Sequence, residues 1–143
     1  MTVARILAAK GGDVVIVQPH RSIADAARVL AEKHIGAVVV AGADRKPLGI
    51  LSERDIVRAL AQHGAGALNE AVTRYMTGKI VSTTRYATLH GLMETMTNGR
   101  FRHLPVLEDG ALVGIISIGD VVKNHVEEIE TESQALREYI ATT

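Results

Sequence analysis

The chain carries a second copy of its own middle. The stretch Gly49–Asp55, GILSERD, returns as Gly114–Asp120, GIISIGD. In both, a glycine and two apolar residues lead into Ser-x-x-Asp, and an apolar helix-like run follows. Setting Ser52 on Ser117 and Asp55 on Asp120 gives an offset of 65, and AVVVAGADRKPLGILS then lies over HLPVLEDGALVGIIS with one residue fewer in the second turn. Upstream of that turn the offset is 66, pairing Ser22 with Thr88, Ile23 with Leu89, Leu30 with Met96 and Val40 with Val106. A duplication constrains the fold strongly, because two small copies of one unit must share a core to be stable. The copies span 14–60 and 80–126, with a lead-in at 1–13, a linker at 61–79 and a C-terminal helix at 127–143.

Each copy reads as strand, helix, strand, strand, helix. VVIV (Val14 to Val17) and KIVST (Lys79 to Thr83) are short β-branched runs that suit a strand. Ser22 and Thr88 stand as N-caps, with Ile23, Ala26, Ala27 and Leu30, or Leu89, Leu92, Met93 and Met96, on one face of the helix behind them. A buried strand follows, Ala37 to Ala41 or Leu104 to Leu107, and a polar turn, GADRKP or EDG, joins it to LGILS or LVGIIS as a hairpin. Ser52 and Ser117 then open a second helix. A three-stranded unit with helices on one face predicts an α/β (α+β) fold of two copies packed sheet to sheet with pseudo-two-fold symmetry, plus a C-terminal helix. Between the copies, ALNEAVTRYM reads as a short helix.

After Asp120 the pattern stays helical, and Val122, Val126, Ile129, Ser133, Leu136 and Ile140 recur at spacings of four and three. That seam is either an oligomer interface or a face that folds back on its own domain.

Bulk properties exclude several classes. Sixteen basic residues balance sixteen acidic ones, and one Phe, three Tyr and no Trp leave little to stack on bases, so nucleic acid is not an expected partner. With no cysteine there is no disulfide framework and no thiolate zinc site. No run approaches the roughly 18 apolar residues of a membrane span, and a soluble cytoplasmic protein is expected. The six histidines form no pair at metal-ligand spacing. Neither a G-x-S-x-G elbow nor a P-loop is present, so no residue is marked as a catalyst.

Two features bear on binding. Ser-x-x-Asp is a helix cap with an acidic first turn. It also places a short carboxylate beside free amides, where two vicinal ribose hydroxyls would find an acceptor. The copies diverge most where His34-Ile35-Gly36-Ala37 is matched by Arg100-Phe101-Arg102-His103. Arg102 and His103 before a buried strand make either an anion site, for a phosphate, or a solvated basic strand end.

With the repeat, the turn and both Ser-x-x-Asp stretches in view, the chain resembles the CBS-domain family, named after cystathionine β-synthase. HLPVLEDGALVGIISIGDVV is close to that family's most typical stretch, RKPLGILSERDIVRAL fits nearly as well, and YMT at Tyr75 to Thr77 looks like the usual lead-in to a second copy. The resemblance covers roughly residues 1–126, as a stand-alone tandem pair or Bateman module. It implies a regulatory, non-catalytic module that binds adenosyl compounds (AMP, ADP, ATP, S-adenosylmethionine, sometimes NAD) between the copies and reports them to a protein partner. It also implies a flat homodimer and no required cofactor. The alternative is a constitutive interaction module whose clefts hold no physiological ligand.

By that resemblance Asp55 and Asp120 hold ribose hydroxyls, with Ser52 and Ser117 beside them. The Asp55 pocket receives Arg102, His103, Pro105 and the segment Thr77 to Ile80, Lys79 included. The Asp120 pocket receives Ile35, Gly36 and the segment Gly11 to Val14. Where the family often has a second Ser or Thr before the aspartate, this chain has Arg54 and Gly119, and Arg54 is expected to reach the phosphate side of the Asp120 pocket. The Asp55 pocket is thus expected to bind a phosphorylated adenine nucleotide through Arg102 and His103, the Asp120 pocket to be usable as well, and the two to bind unequally.

Overall fold

The computed structural model describes residues 1–142. In chain order it runs α1 (Val3–Lys10), β1 (Ile16–Val17), α2 (Ile23–Lys33), β2 (Ala37–Ala41), β3 (Pro47–Ser52) and α3 (Glu53–His63). Two 3-10 turns, Gly64–Asn69 and Val72–Arg74, lead to α4 (Leu89–Gly99), β4 (His103–Glu108), β5 (Ala111–Ser117) and α5 (Ile118–Thr142). β1 runs parallel to β2, and β2–β3 and β4–β5 are antiparallel hairpins.

The two repeats match in detail. Ala37 pairs with Ser52 as His103 pairs with Ser117, and both hairpins shift register at the same place, between Val40 and Ala41 and between Val106 and Leu107. Ser22 Oγ accepts the Asp25 N–H at 3.1 Å while the Asp25 carboxylate accepts the Ser22 N–H, a reciprocal capping box at the start of α2. At α4 the Thr88 hydroxyl caps the Gly91 N–H. Both helices end on a residue in the left-handed region, His34 at φ 54° and Arg100 at φ 58°, which turns the chain into β2 or β4.

The first strands are shorter than their β-branched runs predict. VVIV contributes only Ile16 and Val17. KIVST contributes a single bridge, Thr83 to Val106, in which Thr83 N–H donates to Pro105 O and Leu107 N–H donates to Thr83 O. In the first repeat Val39 N–H adds a further bond, to Val15 O. Its counterpart in the second is Pro105, which has no N–H to give, so the edge cannot extend. The linker segment ALNEAVTRYM folds as 3-10 turns rather than one α-helix.

Each core borrows the segment from the other side of the chain. Val3, Ile6 and Leu7 of α1 are buried among Leu92, Leu104 and Ile116 of the second repeat. Val72, Tyr75 and Met76 of the linker pack among Ile23, Val38 and Leu51 of the first. The backbone bonds repeat as well: Leu89 N–H donates to Met1 O as Ile23 N–H donates to Glu70 O, and Val3 N–H to Ala87 O as Val72 N–H to Arg21 O. The glycine before each Ser-x-x-Asp admits these segments. A Cβ on Gly114 would lie 2.7 Å from Leu7 Cδ2, and one on Gly49 would lie 2.5 Å from Met76 Sδ and 2.9 Å from Thr77 O.

A third buried cluster joins the sheets, with Val39, Ala41 and Leu112 at its centre and Ile16, Leu107 and Ile115 around them. Leu112 N–H donates to Arg45 O at 3.0 Å, and Arg45 Nε donates back to Leu112 O at 3.2 Å. The two repeats therefore pack sheet to sheet, as the duplication predicts.

Candidate functional site

Both aspartates complete a capping box with the serine that caps their helix. Asp55 Oδ2 accepts the Ser52 N–H at 2.8 Å and the Ser52 hydroxyl at 3.0 Å, while Ser52 Oγ accepts the Asp55 N–H at 3.2 Å. Asp120 Oδ2 accepts the Ser117 N–H at 2.8 Å and Ser117 Oγ accepts the Asp120 N–H at 3.1 Å. Ser22 and Asp25 make the same box at α2, so Ser-x-x-Asp alone does not mark a site. What separates the aspartates is the surroundings into which the fold puts them.

Asp55 stands on the wall of a cavity of about 640 Å³ between the two repeats, a volume in the range of small-molecule sites. Its walls come from four parts of the chain: Gly36 just before β2, the β3–α3 junction, the residues Thr77, Lys79, Ile80 and Val81 at the end of the linker and the start of the second copy, and the α4–β4 corner from Arg100 to His103. Four cations line it, Arg54, Lys79, Arg100 and Arg102, against the carboxylates of Glu53 and Asp55. Ile50, Val57, Ile80, Val81 and Phe101 give it apolar surface. Phe101 reaches this position by packing over Gly99, where a Cβ would lie 2.0 Å from its ring. An apolar slot with an acidic cap at one side and excess positive charge at another suits a ligand with a flat apolar body, hydroxyls and an anionic tail.

His103 lines the same cavity and is half-buried. Burial holds its pKa below the ordinary histidine value; Lys10 and Arg102 push the same way, and Asp120 and Glu53 oppose them. A neutral imidazole therefore sits among cations, ready to take a proton if an anion enters.

The Asp120 side is built differently. Lys10 Nζ lies 2.6 Å from Asp120 Oδ2 and donates to Ile115 O at 2.9 Å. Burial raises the Asp120 pKa, but the Lys10 bond, the Ser117 amide and the Lys10 charge outweigh it, and the carboxyl titrates below its ordinary value. Lys10 lies in the lead-in and carries no mark in the sequence that sets it apart from any other lysine.

Of the residues expected at the Asp55 pocket, Ser52, Asp55, Thr77, Lys79, Ile80, Arg102 and His103 are brought together. Pro105 is not; it is buried in β4, its edge covered by the Thr83 bridge. Gly36, Arg54 and Ile35 are the other residues expected at the Asp120 pocket. Gly36 and Arg54 line the Asp55 cavity, and the Cβ position of Gly36 is in ordinary contact with both repeats, 3.6 Å from Glu53 Oε1 and 3.9 Å from His103 Cε1. Ile35 packs into the core of the first repeat. In the segment Gly11 to Val14, Gly12 lies against β5, with its Cβ position 3.2 Å from Val113 O, and Ser117 remains the cap of α5. Arg100, Phe101, Glu53, Ile50, Val57 and Val81 were not singled out for the site by their sequence, although Arg100 and Phe101 lie in the stretch where the copies differ most. Among the described residues no cluster of His, Asp and Glu is placed to hold a metal ion, and no helix is long and apolar enough to cross a membrane.

Two units of this topology, joined across their sheets with a cleft between them, define a tandem-repeat α/β fold. The CBS-domain model matches residues 6–62 and 72–127, and the chain belongs to the CBS-domain family. Its fold is shared with the CBS-domain protein ATU1752 from Agrobacterium tumefaciens, at a TM-score of 0.84 and 51% identity over 87% of this chain and 99% of that one. The mitochondrial CBS domain-containing protein CBSX3 of Arabidopsis thaliana is 34% identical over 123 residues, 83% of this chain. The chain spans only 60% of that relative's length. The CBS domain pair of MJ0100, solved in complex with 5′-methylthioadenosine and S-adenosyl-L-methionine, has the same fold at a TM-score of 0.80 and 22% identity, over 90% of this chain and 98% of that one.

Proposed function

We propose that this chain is a regulatory module that binds an adenine nucleotide, AMP, ADP or ATP, in the cavity at Asp55 and signals its presence to a protein partner. The observation that carries the reading is the cavity's composition: an aspartate-capped helix N-terminus from one repeat meets four cations contributed by both repeats and the linker. Asp55 accepts the ribose hydroxyls, the apolar wall of Ile80, Val81 and Phe101 takes the base, and Arg102, His103 and Arg54 take the phosphate. The excess of cations favours a phosphorylated nucleotide over S-adenosylmethionine, whose sulfonium adds positive charge, and NAD would have to place a second nucleoside outside the cavity. A ligand that touches both repeats prefers one packing of them, and a partner with the same preference is coupled to it. The module performs no chemistry of its own in this reading.

We further propose that the chain acts as a homodimer. Val57 of α3 and Val122 of α5 occupy matching places and are 64% and 56% exposed, and Val126 and Ile129 extend the row along α5. The same row favours a second reading, a constitutive interaction module that needs no ligand. Thermal shift with AMP, ATP, NAD and S-adenosylmethionine separates the two readings, since a ligand that binds only the folded state raises its stability. Stabilisation by AMP or ATP that disappears in Asp55→Ala supports sensing; no shift with any of the four supports the second reading.

A further inference from the structure

We propose that the cleft at Asp120 is closed from within by Lys10, so that this chain takes one nucleotide where its duplication provides two aspartates. The inference rests on the reading of the Asp55 cavity as a nucleotide site. Three contacts fix the register between the lead-in and the linker. Met1 O and Glu70 O accept from the matching residues Leu89 and Ile23, Thr2 and Ala71 bridge to Thr88 and Ser22, and Leu7 and Met76 abut Gly114 and Gly49. Counting on by three residues from Leu7 and from Met76, Lys10 falls on Lys79. The duplication therefore places a lysine at the same point beside each aspartate.

The two lysines have different fates. In the first cleft the linker has left its 3-10 turn before Thr77 and runs along β3, with Thr77 N–H donating to Ile50 O at 2.8 Å and Ile50 N–H to Thr77 O at 3.0 Å. Lys79 then lines the open cavity, and among the described residues no carboxylate pairs with it. In the second cleft α1 stays helical through Lys10, so its backbone amides are committed to the helix. The carbonyl that matches Ile50 O, that of Ile115, is instead satisfied by the Lys10 ammonium, which at once holds Asp120. One side chain thus replaces a backbone bond and pairs with the Asp120 carboxylate through Oδ2, putting an ammonium where a ribose would approach. Ile6 and Leu7, buried in the second repeat's core, anchor the helix that carries it. To enter, a ligand must break an ion pair whose lysine and aspartate side chains are only 31% and 22% exposed and leave Ile115 O without its donor.

Isothermal titration with AMP, on wild type, Lys10→Met, Lys10→Arg and the Lys10→Met/Asp120→Ala double variant, tests this. Expected stoichiometries per chain are one for wild type and Lys10→Arg, two for Lys10→Met, and one again for the double variant. Two AMP per chain in wild type, or one in Lys10→Met, would overturn the closure while leaving the Asp55 reading intact. No binding to wild type would overturn the Asp55 reading instead. The closure would then be judged on Lys10→Met alone: a new Asp120-dependent site supports it, and no new site overturns it.

Discussion

Asp55 and Asp120 make the same cap with the same oxygen, yet one borders a cationic cavity and the other holds a lysine. The residue that reports most directly on the cavity is His103. Because burial lowers its pKa, the folded chain binds fewer protons than the unfolded chain between that lowered value and about 6.5. Stability from this group is therefore complete above about pH 6.5 and is lost as pH falls through the lowered pKa. In His103→Gln, urea midpoints measured between pH 5 and 7.5 are expected to lose that part of the pH dependence; an identical profile in both proteins would contradict the assignment. An anion beside His103 favours the imidazolium, so AMP binding is expected to take up more protons in wild type than in His103→Gln. Calorimetry in buffers of different ionisation enthalpy measures the difference.

At the scale of elements, the hairpins and the capped helices were legible in the sequence because each rests on local signals: alternation, turn residues and cap chemistry. Two things were not. Whether KIVST pairs as a strand depends on its neighbour, and Pro105, 22 residues downstream of Thr83, withholds the N–H that Val39 supplies in the first repeat. The meaning of Gly49 and Gly114 depends on segments far away in sequence, since the close approach that each glycine permits is made by Met76 and Leu7. Gly49→Ala forces a Cβ against the Thr77 carbonyl and should cost about 1–3 kcal/mol. It should also weaken AMP binding by displacing Thr77 and Lys79. Gly66→Ala, with open space around it, should stay within about 0.5 kcal/mol of wild type. Equal urea midpoints for the two variants would contradict this role for the glycine.

The molecule as a whole is held by an exchange. The lead-in completes the second core, the linker completes the first, and the sheets meet through Val39, Ala41 and Leu112. The duplication made the paired architecture visible from the sequence, and the divergence at Arg100 to His103 pointed to the wall of the cavity. The inequality of the two clefts was legible only in part. It was expected from what lines each pocket, whereas Lys10 decides it through a helix one turn longer than its counterpart in the linker. Beyond the two repeats, α5 carries exposed apolar residues along its length, Ile129, Leu136 and Tyr139 among them. Light scattering on the full chain is expected to give twice the chain mass. Truncation after Glu127 is expected to weaken the dimer, because Ile129, Leu136 and Tyr139 are removed, and an unchanged dimer would place the main contact on α3 and the start of α5.

The central claim is that one adenine nucleotide is held at Asp55 and none at Asp120. Isothermal titration of AMP into wild type, Asp55→Asn and Asp120→Asn tests it most directly, because asparagine keeps an acceptor for the cap while removing the charge. Losing a charged acceptor should cost about 1.5–3 kcal/mol. Expected are one site per chain in wild type, an affinity roughly 10- to 100-fold weaker in Asp55→Asn, and the same site at unchanged affinity in Asp120→Asn. Full affinity in Asp55→Asn, or a loss confined to Asp120→Asn, would contradict it.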